Sequence, residues 1–277
     1  VKSTVWTTAV AYAFKAERSL AIAFTLGGVS IALIAGPPLA QALIAAYGWR
    51  TAFVAIGLIW GGAALVLNLL FLRDRGDRQV SPAAAAQSGS QASEPGLSLA
   101  AALRSMPLLR IALATFITML LGIGIQVHMV PILTGGGITR QSAAWFVSLG
   151  GVAGIAGKLI TGWLMDRVDA GLVGAATLAV SAVGYGLLLD GIRTLPLTVV
   201  AIMVIGYAAA AKMQICAYMT SRHAGMRNFG VIFGFMSSLI ALGGGLGPFI
   251  AGLVFDHYGS YNYLLLASVV GTFLSAA

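Results

Sequence analysis

Nine long apolar stretches leave this chain one solvent in which it can fold. They cover residues 4–14, 19–46, 51–72, 108–134, 142–165, 171–189, 195–220, 228–254 and 261–277. A helix needs about 20 mostly apolar residues to cross a bilayer, and most of these stretches reach that length. They are continuous rather than short and alternating, which predicts helices and not the strands of an outer-membrane barrel. Only 9% of the residues are charged, 59% are hydrophobic and the mean hydropathy is +0.94. A water-soluble domain carries roughly 25% charged residues, so this chain cannot cover a surface with polar groups. It is expected to be all-α and polytopic, an integral membrane protein with the lipid bilayer as a partner.

The net charge of +8 does not point to nucleic acid, because the basic residues sit in short loops between apolar stretches. If the spans alternate, Lys15, Arg18, Arg73, Arg75, Arg78, Arg104, Arg110, Arg167, Arg222 and Arg227 share one side. The excess of positive charge makes that side cytoplasmic. One connection is long: residues 73–107 open on Arg73-Asp74-Arg75-Gly76-Asp77-Arg78 and continue in Pro, Ala, Ser, Gln and Gly. Such a composition cannot bury a core and reads as a linker between two bundles. Within it, residues 98–106 fit either a short helix on the membrane surface or plain linker. The expected division is therefore 1–72 as the end of one helical bundle, 73–107 as cytoplasmic linker and 108–277 as a six-helix bundle. Cys216 is the single cysteine, so there is no disulfide framework.

The chain also repeats itself. Gly36-Pro37-Pro38 with Tyr47-Gly48 has a counterpart 211 residues on, in Gly247-Pro248-Phe249 with Tyr258-Gly259. Spans two and three match spans eight and nine at this offset, so the repeating unit holds six spans. On that count three spans are expected to precede Val1, giving a parent of twelve.

Three local patterns are similar to those of the major facilitator superfamily. Gly162-Trp163-Leu164-Met165-Asp166-Arg167 resembles its cytoplasmic G-x-L-x-D-R loop motif. Gly36-Pro37 resembles the Gly-Pro element of the fifth helix, and Gly243-Gly244-Gly245-Leu246-Gly247-Pro248 its equivalent in the eleventh. Two further stretches resemble the monocarboxylate and oxalate–formate type within that superfamily. One runs from His128-Met129-Val130-Pro131 to Gly137-Ile138-Thr139, the other from Ala217-Tyr218-Met219 to Phe229-Gly230. The resemblance implies two six-helix halves that rock about a central site, with about nine of the twelve helices present. It implies gating roles for Asp166, Arg167 and Gly162, and bending or close packing at Gly36, Pro37, Gly247 and Pro248. Residues 36–41 lack the paired glycines of the family's antiporter motif, so exchange and symport both stay open.

Ionisable groups within lipid cost about 2.5–3.5 kcal/mol on insertion scales and usually mark function. Three stand out inside the spans: Lys212, Lys158 and His128. The apolar stretches contain no Asp or Glu, so the lysines either pair with an acid outside these spans or wait for an anion. Lys212 lies ten residues before Arg222, about 15 Å deep, beyond the reach of a snorkelling stem. Lys158 lies eight residues before Asp166, about 12 Å deep, on a stripe with Gly150, Gly151, Gly154 and Gly162. That stripe gives either close helix contact or room for a ligand, and the resemblance places Lys158 at the basic residue of the eighth helix. His128 fits a substrate contact or a proton relay, and equally a ring satisfied by a backbone carbonyl. Gln126, Tyr207 and Gln214 are further polar candidates for a cavity.

No nucleotide loop, metal-ligand cluster or nucleophile–base pair is visible, so neither an enzyme nor a cofactor or metal site is expected. The expectation is a secondary carrier of small organic anions, mono- or dicarboxylates, coupled to protons or to a counter-anion. Its expected place is the bacterial inner (plasma) membrane. A proton-driven efflux carrier for drug-like compounds, and a membrane sensor that binds without flux, are the alternatives.

Overall fold

A computed structural model of the chain describes residues 18–71, 97, 99–165, 167–225 and 228–276, and the elements among them are helices. In chain order they are α1 (Arg18–Phe71), α2 (Leu99–Arg104), α3 (Met106–Val127), α4 (Met129–Gly135), α5 (Arg140–Met165), α6 (Ala170–Gly186), α7 (Leu195–Ala224), α8 (Phe229–Tyr258) and α9 (Asn262–Leu274). The stretch at 4–14 and most of the 73–107 linker lie outside the described residues.

Spans two and three follow each other without a loop in α1, with a break at Gly48, whose φ of 77° no ordinary side chain adopts cheaply. The counterpart in the repeat behaves alike: Gly259 ends α8 in the left-handed region at φ 65°. Pro37 and Pro248 both lie inside their helices. The 211-residue repeat thus recurs in the structure as a proline within a helix and a glycine of positive φ, although ψ differs, 164° at Gly48 and 8° at Gly259.

The expected span 108–134 is divided. Pro131 has no N–H for the carbonyl of Val127, and its ring crowds that carbonyl, so α3 ends there. His128 serves as C-cap of α3 and N-cap of α4. Two other spans are shorter than expected, with 17 residues in α6 and 13 in α9. The turn at Gly191, with φ 89°, brings the chain back before α6 reaches full length. Five helical segments, Ile31–Leu67 and those built on α3, α5, α7 and α8, are long and apolar enough to cross a membrane. Their outward faces carry exposed apolar groups such as Leu159, Phe249 and Leu253, the surface that hydrocarbon solvates. Buried hydroxyls bond to their own helix four residues back, as Thr118 does to Ala114, Thr177 to Val173 and Ser268 to Leu264.

Glycine sets the helix pairing. α5 and α7 cross with the backbones of Gly150 and Gly206 in contact, and a methyl at Gly157 would stand 2.6 Å from the Tyr207 carbonyl oxygen. α3 and α8 cross in the same way, where Gly124 meets the Gly247 carbonyl and Gly243 meets the backbone of Leu120. Gly151 faces α1, with room for no more than a hydrogen against Ile34. The α5 stripe is therefore used for close contact at Gly150, Gly151, Gly154 and Gly157. The short helix α2 docks on the end of the bundle: Ala102 is buried in a cluster with Leu108, Ala224, Ile232 and Met236. Leu97 N–H donates to Ala224 and its carbonyl accepts from Asn228.

Candidate functional site

α3, α6, α7 and the turn that follows α9 line a half-open cavity of about 240 Å³. At one end lie Arg110, the first turn of α6 at Ala170 and Gly171, Met219, and Ser275 just beyond α9. This is the end that carries Arg167 and Arg222. At the other end lie Thr118, Met119 and Lys212. Lys212 is seven residues before Met219 on α7, so the cavity runs roughly 10 Å along that helix. Its walls are Ile, Leu, Met, Ala and Gly, interrupted by Thr115, Thr118 and Cys216.

The wall residues share faces by helical spacing. On α3, Ile111, Thr115 and Thr118 fall three or four apart. On α7, Lys212, Ile215, Cys216 and Met219 do the same. Thr115 and Cys216 join the two helices, the Thr115 hydroxyl donating to the sulfur at 3.4 Å.

Lys212 is 7% exposed. Its Nζ donates to Tyr185 Oη on α6 at 3.4 Å and stands 5.5 Å from the centre of that ring. Among the described residues no carboxylate lies within ion-pair distance of it; the two ion pairs there are Arg193–Asp190 and Arg222–Asp169. A buried ammonium held by one neutral phenol is a strong local source of positive potential. An anion entering the cavity would supply the missing counter-charge.

The other expected site residues are dispersed. Lys158 is half-buried on α5 and outside the lining of this cavity. It lies seven residues from Gly151, on the face that meets α1. Tyr207 is half-buried and its hydroxyl accepts from Thr161 at 3.2 Å, joining α7 to α5. Gln214 lies against Gly162, where a methyl would stand 3.0 Å from Nε2. Gln126 is exposed at the far end of α3. His128 Nδ1 pairs with the Gly124 carbonyl at 3.0 Å and its ring packs on Tyr261, the arrangement of a ring satisfied by backbone.

Asp166 lies outside the described residues. Arg167 is exposed and its guanidinium stacks on Trp163, 4.3 Å from the ring centre. Among the described residues Gly36 meets nothing that a methyl would touch, while Gly247 abuts the Leu120 carbonyl. The ion pair observed at this end joins different residues. Asp169 caps α6 through Gly171 N–H at 2.8 Å and accepts from Arg222 at 3.1 Å. The Gly171 N–H first, and then Arg222, hold the Asp169 carboxyl below its usual range. Among the described residues no group of three His, Cys, Asp or Glu is placed to hold a metal.

Sequence reasoning passed over Tyr185, Thr115 and Thr118. The threonines carried a usable signal, a polar stripe on one face of α3. Arg110 was read only for topology, and Arg222 for topology and as the marker of the depth of Lys212.

Comparison with known proteins sets these features in a family. A model described as Major Facilitator Superfamily matches residues 3–189 and, again, 111–277. Monocarboxylate transporter 13 of Bos taurus is 27% identical over 267 residues, which is 95% of this chain and 59% of that protein. Monocarboxylate transporter 13 of Rattus norvegicus is 26% identical over the same shares. The chain thus spans about three-fifths of the length of these curated relatives. The crystal structure of a bacterial homologue of the iron transporter ferroportin, in an inward-facing state, superposes with a TM-score of 0.67 at 17% identity. That match covers 97% of this chain and 64% of the other, and at this identity it speaks for the fold alone. With the family model accounting for nearly every residue, and an all-helical bundle that shares the fold, this chain belongs to the Major Facilitator Superfamily.

Proposed function

We propose that the protein is a secondary transporter of small organic anions, mono- or dicarboxylates, working by alternating access between two helical halves. The observation that carries this reading is Lys212, a buried cation at the inner end of a cavity, with no carboxylate at ion-pair distance among the described residues. Arg110 at the opposite end gives an approaching anion a second positive charge. The names of the two mammalian relatives support a carboxylate as substrate.

In this reading residues 1–72 belong to the first half, 73–107 to the linker and 108–277 to the second half. The tight glycine crossings of α5 with α7 and of α3 with α8 move as rigid pairs, and relative motion of the halves takes place where α1 meets α5. Lys158 on that face is a second candidate contact for the anion. His128, Gln126, Tyr207 and Gln214 are left with supporting or surface roles, and the segment around Gly162, Asp166 and Arg167 with gating. Coupling is to protons or to a counter-anion, and the membrane is the bacterial inner (plasma) membrane.

The test is counterflow in proteoliposomes holding the full-length protein, loaded with unlabelled acid and given labelled oxalate, formate, lactate or pyruvate. Accumulation that vanishes in Lys212→Ala, in protein shown to be folded, supports the proposal. Absence of accumulation with every acid in the folded wild type sinks it, in favour of efflux of other compounds or of a sensor.

A further inference from the structure

Tyr185 is nearly fully buried, 2% exposed, in the last turn of the apolar helix α6. Its ring packs in the core cluster with Ile125, Leu188 and Ile205. A buried tyrosine hydroxyl needs a partner, since leaving it without one would cost most of the advantage of burying the ring. The partner is Lys212 Nζ at 3.4 Å. Tyr185 is not part of the cavity lining, whereas Lys212 is. The phenol therefore holds the ammonium from behind, on the side away from the cavity.

A third helix contributes the space. A methyl at Gly122 on α3 would stand 3.3 Å from Tyr185 Oη and 3.9 Å from Lys212 Nζ. Three helices, α3, α6 and α7, thus converge on one ammonium. Lysine carries four rotatable bonds, and an ammonium free to move among their rotamers binds an anion less well than a fixed one.

We infer that Tyr185 is a positioning residue for the transport site, fixing the Lys212 ammonium at the inner end of the cavity, with Gly122 keeping the space the pair occupies. The inference rests on the proposed role of Lys212 in anion transport. It adds a residue of α6 that touches no substrate and acts only through Lys212.

The test uses Tyr185→Phe in the full-length protein, which keeps the ring and removes the hydroxyl. In counterflow the apparent KM for the carboxylate is expected to rise about tenfold, the effect of losing one charge-assisted hydrogen bond, with Vmax within about twofold. A tyrosine with only a packing role would lower the yield of folded protein and Vmax, and leave KM unchanged. Binding is followed by the thermal shift that the same acid produces, and in a Lys212→Met background adding Tyr185→Phe is expected to change it no further.

A second readout does not depend on carboxylate transport: the rate at which acetic anhydride acylates Lys212, followed by peptide mass spectrometry. Release of the ammonium from Tyr185 is expected to raise that rate severalfold. Gly122→Ala, which crowds the pair from the other side, serves if Tyr185→Phe does not fold, and is expected to change KM and the acylation rate likewise. Acylation altered with no carboxylate carried would leave Tyr185 as a positioning residue and discard the substrate class. Carboxylate carried, with KM and acylation both unchanged in the variants, would overturn the inference.

Discussion

The most demanding prediction concerns stability, because a charge kept for binding should burden the fold. Lys212 is 7% exposed and, among the described residues, its Nζ has one neutral partner, Tyr185 Oη at 3.4 Å. An ion buried without a counter-charge costs several kcal/mol, and replacing such groups by apolar residues of similar size is often stabilising by about 1–4 kcal/mol. Lys212→Met keeps the length of the stem and removes the charge, but leaves the Tyr185 hydroxyl without a partner, at about 1–3 kcal/mol. The two effects nearly offset in the single variant. Lys212→Met with Tyr185→Phe removes both polar groups and is expected to exceed wild type by about 1–4 kcal/mol. Tyr185→Phe alone removes the partner that the ammonium has among the described residues and is expected to lose about 1.5–3 kcal/mol. The order of stability is then the double variant, followed by wild type and Lys212→Met together, with Tyr185→Phe last. For a domain of this size each kcal/mol moves the melting temperature by roughly 2–4 °C. The assay is thermal denaturation of the full-length protein in detergent, in buffer free of carboxylates, with counterflow on the same preparations. The double variant should melt highest and carry nothing. If it melts several degrees below wild type, the ammonium is paired by an acid, and Lys212 is a structural cation rather than a site that waits for an anion.

Other expectations follow from contacts elsewhere. Gly206→Val places a side chain on the backbone of Gly150, and is expected to cost at least about 1–3 kcal/mol and to lower transport. Gly245→Ala on α8 meets nothing within 4 Å among the described residues and should be tolerated; equal melting temperatures for the two would refute the glycine crossing. Arg193, with 11% of its side chain exposed, donates to the Ile132 carbonyl at 2.9 Å and to Asp190 at 2.8 Å, and Asp190 in turn accepts from Asn262. Arg193→Ala is expected to destabilise by about 1–3 kcal/mol, and an unchanged melting temperature would show that this clasp holds nothing. The Asp169 carboxyl is held below its ordinary value of 3.8, so its contribution is constant at neutral pH, and is lost only as pH falls below that value. Asp169→Asn should therefore differ from wild type above pH 4 and converge with it in stronger acid, while a difference that grows on acidification would contradict the assignment.

Much of the fold could be read from the chain. Apolar length placed the helices, and the Gly-Pro and Tyr-Gly pairs 211 residues apart correspond to two prolines within helices and two glycines with positive φ. What misled was length alone: the stretch 108–134 looks continuous by hydropathy, but Pro131 removes the bond that would carry the helix past Val127. At the site, the depth of Lys212 was legible because it depends only on counting from Arg222 along one helix. Its partner was not, since Tyr185 lies 27 residues earlier on another helix and meets it only through packing. The reverse holds for His128, whose candidate chemistry is taken up by the Gly124 carbonyl within its own helix.

The glycines and the lysine explain each other. In lipid, apolar side chains gain nothing by leaving the solvent, so helix pairs are held by close backbone contact. α5–α7 and α3–α8 are such pairs, with glycine wherever the backbones touch. Both members of the pair that matters most for Lys212, α3 and α7, are thereby anchored to a second helix on the side away from the cavity. α6 packs on α7 at Gly184 and adds a tyrosine, so the third wall is fixed by a hydrogen bond as well. A rigid frame of this kind can keep a cation in a low-dielectric place without collapsing around it. If it were looser, the ammonium would move to water at the Arg110 end, and the cavity would lose the positive potential on which the proposed anion binding depends. Variants that loosen the crossing without touching the cavity, Gly206→Val first among them, should therefore weaken anion binding as well as stability. A loss of stability with affinity unchanged would separate the frame from the site.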